Sequence, residues 1–223
     1  MCSTRCLRTR AHISLLDKRG EAQVSPFNMQ KILPLLIIML AISACASTVS
    51  VQTTEHQPHW ATVLNKESNL YRLDDKLFRS EQLSAQDYPL LKQHNIQTIV
   101  NLRFFDRNDD QAAFGKRDLT LVNTPLMSWS IRPKDVAEVL WQIEQAQQNG
   151  AVLVHCYHGA DRTGLIAAMY RIIYQNWSLE EAKWEMVNGP YGFHTVWRNM
   201  ENFFTEQNLS LIHISEPTRP LYI

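Results

Sequence analysis

The stretch Ala-Val-Leu-Val-His-Cys-Tyr-His-Gly-Ala-Asp-Arg-Thr-Gly, residues 151–164, decides how this chain folds. Its first four residues are apolar and, with the histidine that follows, predict a short buried strand. Gly159 and Gly164 then permit tight backbone turns. Apolar residues at helical spacing come next, at Leu165, Ile166, Met169 and Ile173. A strand that passes through a tight turn into a helix is typical of an α/β sheet.

Strands and helices continue to alternate on both sides of this segment. The predicted strands lie at about 71–73, 77–79, 96–102, 119–124 and 151–155. The predicted helices lie at about 84–93, 133–150, from 162 onward, from 178 onward and at 195–207, with a polar loop at 104–118. The order predicts a single α/β domain over residues 59–208, with a mostly parallel central sheet flanked by helices.

The spacing of Cys156 and Arg162 predicts a binding site for a phosphate group. Cys156 directly follows a strand, five residues separate it from Arg162, and a helix begins at about that arginine. This geometry curls the intervening backbone N–H groups into a nest for an anion, and the positive end of the helix points at the same place. Arg162 grips two phosphate oxygens with its planar fork. The same positive field favours the thiolate of Cys156, which is a strong nucleophile.

These residue types predict a two-step hydrolysis. The thiolate of Cys156 attacks phosphorus and forms a cysteinyl-phosphate, and water then releases phosphate. We expect Thr163 to donate a hydrogen bond to the sulfur when it leaves, and His155 to orient the loop. The remaining residues of the loop are expected to line the substrate-binding site: Tyr157, His158, Gly159, Ala160 and Gly164. A phosphate-ligand-binding domain without catalysis is the alternative from a different functional class.

The pattern His-Cys-x5-Arg-Thr-Gly at 155–164 resembles the signature of the protein tyrosine phosphatase superfamily. The domain size resembles that of the dual-specificity branch, and particularly its small bacterial periplasmic members. Three further segments over roughly 65–192 carry this resemblance: Leu77-Phe78-Arg79-Ser80, Asn101-Leu102-Arg103 and the helix at 167–172. The resemblance implies hydrolysis of phosphotyrosine and other phosphate monoesters of a protein or small molecule. Hydrolysis of an inositol phosphate or a phosphoinositide is the alternative within the superfamily.

The general acid of the family has no obvious counterpart in this sequence. In the family it is an aspartate on a loop about 30 residues before the cysteine, and it gives a proton to the leaving oxygen. Residues 123–129, which occupy that window here, contain no carboxylate. Asp161 is one candidate, because myotubularin-like phosphatases carry an aspartate at that position. The other candidates are Asp106, Asp109 or Asp110 on the loop after Arg103, Asp135 at a helix start, or no dedicated acid.

The composition argues against several other classes of function. The formal net charge of the 223-residue chain is zero, so it gives no indication of a nucleic-acid partner. His155, Cys156 and His158 are close together, but a zinc site needs further ligands. His94 and His194 are interpreted as isolated surface residues. We therefore predict neither a metal nor a cofactor, and the sequence makes no prediction of the oligomeric state.

The sequence before the domain resembles the leader of a bacterial lipoprotein. The apolar run at 32–42 is too short for a comfortable transmembrane helix and has the size of a signal-peptide core. Ile42-Ser43-Ala44-Cys45 resembles a lipobox, in which the cysteine is lipidated. The resemblance implies a signal peptide at 29–44, lipidation of Cys45 and a tether at 45–58. Ordinary secretion and an uncleaved membrane anchor are the alternatives.

Two further expectations concern location and the chain ends. Alanine, not aspartate, follows Cys45, which by the sorting rule of such lipoproteins favours the periplasmic face of the outer membrane in a bacterial envelope. Residues 1–28 are interpreted as upstream sequence translated from an early codon, or else as a basic extension. Residues 209–223 resemble a translated sequencing-library adapter and are interpreted as a non-native tail, or else as a disordered one.

Overall fold

A computed structural model describes residues 59–215 of the protein. The predicted leader, the lipidation site at Cys45 and nearly all of the tether lie outside the described residues. Six strands form one sheet: β1 (Thr62–Asn65), β2 (Leu70–Arg72), β3 (Leu77–Ser80), β4 (Ile96–Asn101), β5 (Thr120–Asn123) and β6 (Ala151–His155).

The strands lie in the order β1–β2–β3–β6–β4–β5. β1, β2 and β3 pair antiparallel, whereas β3, β6, β4 and β5 run parallel to one another. The predicted α/β fold with a mostly parallel central sheet is therefore confirmed. Because the four parallel strands end at one edge, the residues that follow them meet there, which is where ligands bind in open α/β sheets.

Seven α-helices accompany the sheet within residues 59–215. They are α1 (Tyr88–Gln93), α2 (Asp109–Phe114), α3 (Pro133–Ala146), α4 (Asp161–Gln175), α5 (Leu179–Asn188), α6 (Arg198–Glu201) and α7 (Glu206–Ser215). Ser84 and Asp87 form a capping box at the short 3-10 turn before α1, and Ser178 and Glu181 form one at the start of α5. No helix in this part of the chain combines the length and apolar character that crossing a membrane requires.

Side chains from both faces of the sheet are buried. Val152 and Val154 of β6 pack in a core that includes Leu140 of α3 and Leu165 of α4. Leu153, between them, packs on the opposite face with residues of α1 and α2. Because successive strand residues point to opposite faces, a strand covered on both sides needs an unbroken apolar run. This explains why β6 reads Ala-Val-Leu-Val, and it fixes the position of Cys156 at the end of the strand.

Two predicted segments differ from the structure. Residues 104–118, predicted as a loop, contain α2, whose Phe114 is fully buried under the sheet. The predicted helix at 195–207 is instead the single turn α6, followed after a break by α7. α7 continues past Asn208, the expected end of the domain, and buries Ile212. The interpretation of residues 209–223 as non-native stays a prediction.

The burial of Ile212 yields a stability prediction. Ile212→Ala is expected to lower the free energy of unfolding by about 2–4 kcal/mol, because it removes buried methyl groups and leaves a cavity. Ile214, on the same helix, is 75% exposed, and Ile214→Ala is expected to change that free energy by no more than about 0.5 kcal/mol. Denaturant unfolding of both variants measures the difference, and equal losses would contradict the packing of α7.

Candidate active site

The loop between β6 and α4 forms a cradle, here defined as residues 156–162. Each carbonyl from residue 156 to residue 160 accepts a hydrogen bond from a donor in the surrounding protein. In loop order the donors are His155 Nδ1 (3.0 Å), Gln82 N (2.9 Å), Asn69 Nδ2 (2.8 Å), Arg79 Nη2 (2.7 Å) and Gly164 N (2.9 Å). The amides of residues 157–160 have no acceptor in the described part of the chain. With the carbonyls engaged, these amides are free to converge on an anion.

The conformation of the cradle depends on Gly159. Its φ is +68°, in the region that residues with a Cβ seldom adopt. A Cβ at this position would also lie 2.4 Å from the carbonyl oxygen of Ser80 at the end of β3. Contacts that close do not occur between these atoms, and both are held by backbone. Any larger residue at 159 therefore forces the cradle away from β3.

Cys156, the predicted nucleophile, and Arg162 lie at the end of a strand and the start of a helix, as the sequence predicts. Cys156 is buried at the carboxyl end of β6, and Arg162 is in the first turn of α4. Arg162 Nη1 makes long contacts to the carbonyl oxygens of Leu102 (3.4 Å) and Leu126 (3.5 Å), while its Nε has no hydrogen-bond partner among the described residues. The hydroxyl of Thr163 is buried and likewise has no hydrogen-bond partner in residues 59–215. Both groups are thus available to a bound phosphate or to the cysteine sulfur.

A small cleft opens in front of Arg162. Its volume is about 160 Å³, and it is lined by Arg103, Phe105, Asp106, Tyr157 and Arg162. The rings of Phe105 and Tyr157 are mostly exposed, at 64% and 55%. The guanidinium of Arg103 lies 5.1 Å from the centre of the Tyr157 ring. The cleft therefore offers a cation, a carboxylate and two aromatic rings to an incoming ester.

His155 is paired with a carboxylate that the sequence offered only as a candidate acid. His155 Nε2 lies 2.9 Å from Asp110 Oδ2, and both side chains are buried. Burial alone raises the pKa of Asp110, but hydrogen bonds from His155 and Gln82, with the charges of His155 and Arg103, outweigh it and place the pKa below its usual value. Since Nδ1 faces the carbonyl of Cys156 and Nε2 faces a carboxylate, both ring nitrogens meet acceptors. These two contacts fix the orientation of the imidazole ring next to Cys156.

Asp161 is held away from the cleft. Its carboxylate accepts hydrogen bonds from the backbone N of His194 (2.8 Å) and from His194 Nδ1 (3.0 Å to Oδ2). His194 is a surface residue, as predicted, with a side chain that is 53% exposed, but the prediction that it is isolated is wrong: it binds the residue next to Arg162. Nothing in the sequence signals this contact, because 33 positions separate the two residues. His94, by contrast, has its ring 5.5 Å from that of Phe78 and no contact with the cradle.

The remaining candidate acids occupy three different environments. Asp106 lines the cleft with a side chain that is 72% exposed, and it pairs with Arg103 at 3.2 Å. Asp109 also pairs with Arg103 but does not line the cleft. Asp135 binds Arg132 at the start of α3 and lines a separate groove. The structure therefore brings only one of the five candidate carboxylates, Asp106, into the cleft that Arg162 lines.

Three residues that bind the cradle were not predicted as site residues. Each of them lies at or near β3 and donates a hydrogen bond to a carbonyl of the cradle; they are Asn69, Arg79 and Gln82. Arg79 belongs to a segment that resembles the bacterial phosphatases, but its position in a strand gives no indication that it reaches the cradle. No group of three or more His, Cys, Asp or Glu residues suited to a metal is present in residues 59–215.

Comparison with known proteins identifies the same family. The family described as the dual specificity phosphatase catalytic domain matches residues 77–202. The dual specificity protein phosphatase TpbA of Pseudomonas aeruginosa is 38% identical over 135 residues, which are 60% of this chain and 61% of that protein. Inositol diphosphatase DSP3 of Arabidopsis thaliana is 27% identical over 136 residues, 56% of this chain and 64% of that protein. The chain therefore matches less than two thirds of the length of these relatives.

Solved structures agree with this result. A crystal structure of TpbA in complex with pTyr aligns with a TM-score of 0.66 at 31% identity, covering 72% of this chain and 98% of that one. Another crystal structure of TpbA gives the same TM-score and identity and covers 73% of this chain and 99% of that one.

The two glycines with positive φ on this side of the molecule allow a matched test of the cradle. Tungstate, a tetrahedral oxyanion like phosphate, serves as the probe of the cradle. Gly159→Ala is expected to weaken tungstate binding by about tenfold or more, because the clash with Ser80 moves the cradle amides that would bind it. Gly192 has a φ of +82° but open space at its Cβ position. Gly192→Ala therefore carries similar backbone strain and should leave tungstate affinity within about threefold. Calorimetric titration of both variants measures the effect, and equal losses would contradict the steric explanation.

Proposed function

Because the chain belongs to the dual specificity phosphatase family, we propose that it hydrolyses phosphate monoesters, aryl esters such as phosphotyrosine foremost, through a phosphorylated Cys156. The observation that carries this proposal is the hydrogen bonding of the cradle. The carbonyls of residues 156–160 all accept hydrogen bonds from protein donors, and the amides of residues 157–160 remain free for an anion. The complex of TpbA with pTyr supports an aryl ester.

The first half of the reaction moves the phosphoryl group to the protein. The Cys156 thiolate attacks phosphorus in line, the S–P bond forms, and the P–O bond to the leaving group breaks with its electron pair on oxygen. The cradle amides and Arg162 bind the non-bridging oxygens through the transition state. Asp106 gives its proton to the leaving oxygen.

The second half regenerates the thiolate. Water attacks the phosphorus of the cysteinyl-phosphate and loses a proton to Asp106, which restores the acid. The S–P bond breaks with its electron pair on sulfur, and inorganic phosphate leaves. The hydroxyl of Thr163, which is buried and has no partner, donates a hydrogen bond to the departing sulfur.

Asp106 is the better candidate acid on geometry. It lines the same cleft as Arg162, whereas both oxygens of Asp161 are engaged by His194. The Asp106 side chain is 72% exposed, so water competes with the buried Arg103 for its carboxylate and weakens the ion pair.

The residues that line the cleft favour an aryl phosphate ester as the substrate, rather than a highly phosphorylated inositol. Phe105 and Tyr157 present exposed rings beside Arg162, and aromatic faces pair favourably with a phenyl group. The second cation of the cleft, Arg103, is already paired with Asp106 and Asp109. A substrate with several phosphates therefore meets little unpaired positive charge and one carboxylate.

The proposal and the acid are tested together with a series of aryl phosphates of increasing leaving-group pKa. The wild type is expected to hydrolyse them all, and Cys156→Ser to hydrolyse none. Asp106→Asn is expected to lower kcat by about 100-fold for phenyl phosphate but by less than about tenfold for an activated nitrophenyl ester, which needs no proton.

Asp161→Asn is the control for this series. Because Asp161 binds His194 and not the substrate, its loss should lower kcat by a similar factor for every ester. A leaving-group dependence in Asp161→Asn and none in Asp106→Asn would assign the acid to Asp161. Binding of phosphotyrosine without turnover by the wild type would contradict hydrolysis and favour a binding domain.

We propose further that Cys45 is lipidated and that the domain is held at the periplasmic face of a bacterial outer membrane. The apolar run at 32–42 and the lipobox-like Ile42-Ser43-Ala44-Cys45 support this. Expressed in a bacterium fed labelled palmitate, the full chain should carry the label in the outer-membrane fraction. Cys45→Ser should lose the label, and label retained by that variant would contradict lipidation at this residue.

A further inference from the structure

We infer that Arg79 is a positioning residue of the phosphate site: it fixes two cradle carbonyls and places a buried positive charge, hydrogen-bonded to no carboxylate in residues 59–215, behind the cradle that begins at Cys156. The inference rests on the proposed function, since it concerns the same cradle. It assigns a role to a strand residue that lies outside the signature at 155–164.

The contact geometry places Arg79 behind the cradle. Arg79 is in β3, paired with Val154 of β6, and is almost fully buried. Its Nη2 donates to the carbonyl oxygens of Gly159 (2.7 Å) and Ala160 (3.4 Å). A Cβ on Gly164 would lie 3.7 Å from the same nitrogen, an ordinary van der Waals contact, so the first turn of α4 lies close to the guanidinium.

Arg79 makes no direct ion pair with a carboxylate among residues 59–215, although the charge of Glu185 acts on it from farther away. No ion pair there includes it, and its Nε has no hydrogen-bond partner. Its guanidinium carbon lies 3.8 Å from the centre of the Tyr191 ring. Burial raises the pKa of Tyr191 far above its usual value, so that ring is a neutral platform and not a counter-ion.

A second buried arginine, Arg171, differs from Arg79 because it forms a direct ion pair with a carboxylate. Arg171 is as buried as Arg79, but it makes two hydrogen bonds to Glu185, at 2.8 and 2.9 Å. Burying a charge is unfavourable unless an opposite charge offsets the lost hydration. For Arg79 the charge of Glu185 supplies part of this offset without a hydrogen bond, and we expect the thiolate of Cys156 and a phosphate bound in the cradle to supply the rest.

Other charged or titratable groups also lie around Arg79 and the cradle. They are Arg162 from α4, His155 with Asp110 from β6 and α2, Glu185 from α5, Tyr71 from β2 and Tyr191 after α5. Burial lowers the pKa of Arg79, and Tyr191, Glu185, Cys156 and Tyr71 act in the opposite direction. An arginine keeps its charge under such burial, whereas a lysine gives up its proton more readily.

The test uses two readouts that need no turnover. The rate of alkylation of Cys156 by iodoacetamide as a function of pH reports the thiolate, and calorimetric titration with tungstate reports the cradle. Arg79→Met is expected to move the midpoint of the alkylation profile up by about one pH unit or more, because it removes a nearby positive charge. It should also weaken tungstate binding by about tenfold or more, because two carbonyls lose their donor.

Two further variants separate positioning from stability. Tyr191→Phe removes the hydroxyl that donates to Glu185 Oε1 at 2.7 Å but keeps the ring under Arg79. It should lower the melting temperature and leave the alkylation midpoint where it is. Arg79→Lys keeps a positive charge but not the planar fork, so tungstate affinity should fall by several fold with a smaller shift of the midpoint.

A folded Arg79→Met protein with a wild-type midpoint and wild-type tungstate affinity would overturn the inference. If that variant does not fold, Arg79→Lys decides, and wild-type tungstate affinity in it would overturn the positioning role. A wild-type protein that binds tungstate but turns over no aryl phosphate would reject the proposed function alone. The two failures are therefore distinguishable.

Discussion

The site depends on one constraint: five successive carbonyls, from residue 156 to residue 160, must point at protein donors so that the neighbouring amides remain free. A buried amide without an acceptor is unfavourable, and a row of them is stable only where an anion is expected. Here β3 and the residues around it provide several of the donors, including Arg79 and Gln82. The parallel pairing of β3 with β6 is therefore part of the chemistry, because it sets the distance between the donors and the loop.

Residues that are close in sequence allowed the central part of the site to be predicted. Cys156, Arg162 and the strand and helix around them are all specified by local patterns: an apolar run, two glycines and a helical period. The capping boxes were predictable for the same reason, since their partners are three residues apart. The mostly parallel sheet followed from the alternation of strands and helices, which leaves few other arrangements.

Contacts between distant residues were not predictable. The contact of His194 with Asp161 and that of Asp110 with His155 join residues that only the fold brings together. Helix α2 was not predicted because four of the residues at 104–118 that precede or open it are charged, and its few apolar residues show no clear period. Its one fully buried large side chain, Phe114, is explained by packing under the sheet, not by any local signal.

The segment between β4 and β5 has a consequence for how this site can change. It carries Asp106, which lines the cleft, and, four residues later, Asp110, which pairs with His155 beside the nucleophile. An insertion or deletion that moves one carboxylate also displaces the other. The proposed proton transfer to the leaving group and the proposed chemistry of the thiolate would therefore both be disturbed by the same change. Evolution of substrate range in such a protein is therefore expected to proceed by exchange of exposed side chains on this segment, with its length preserved.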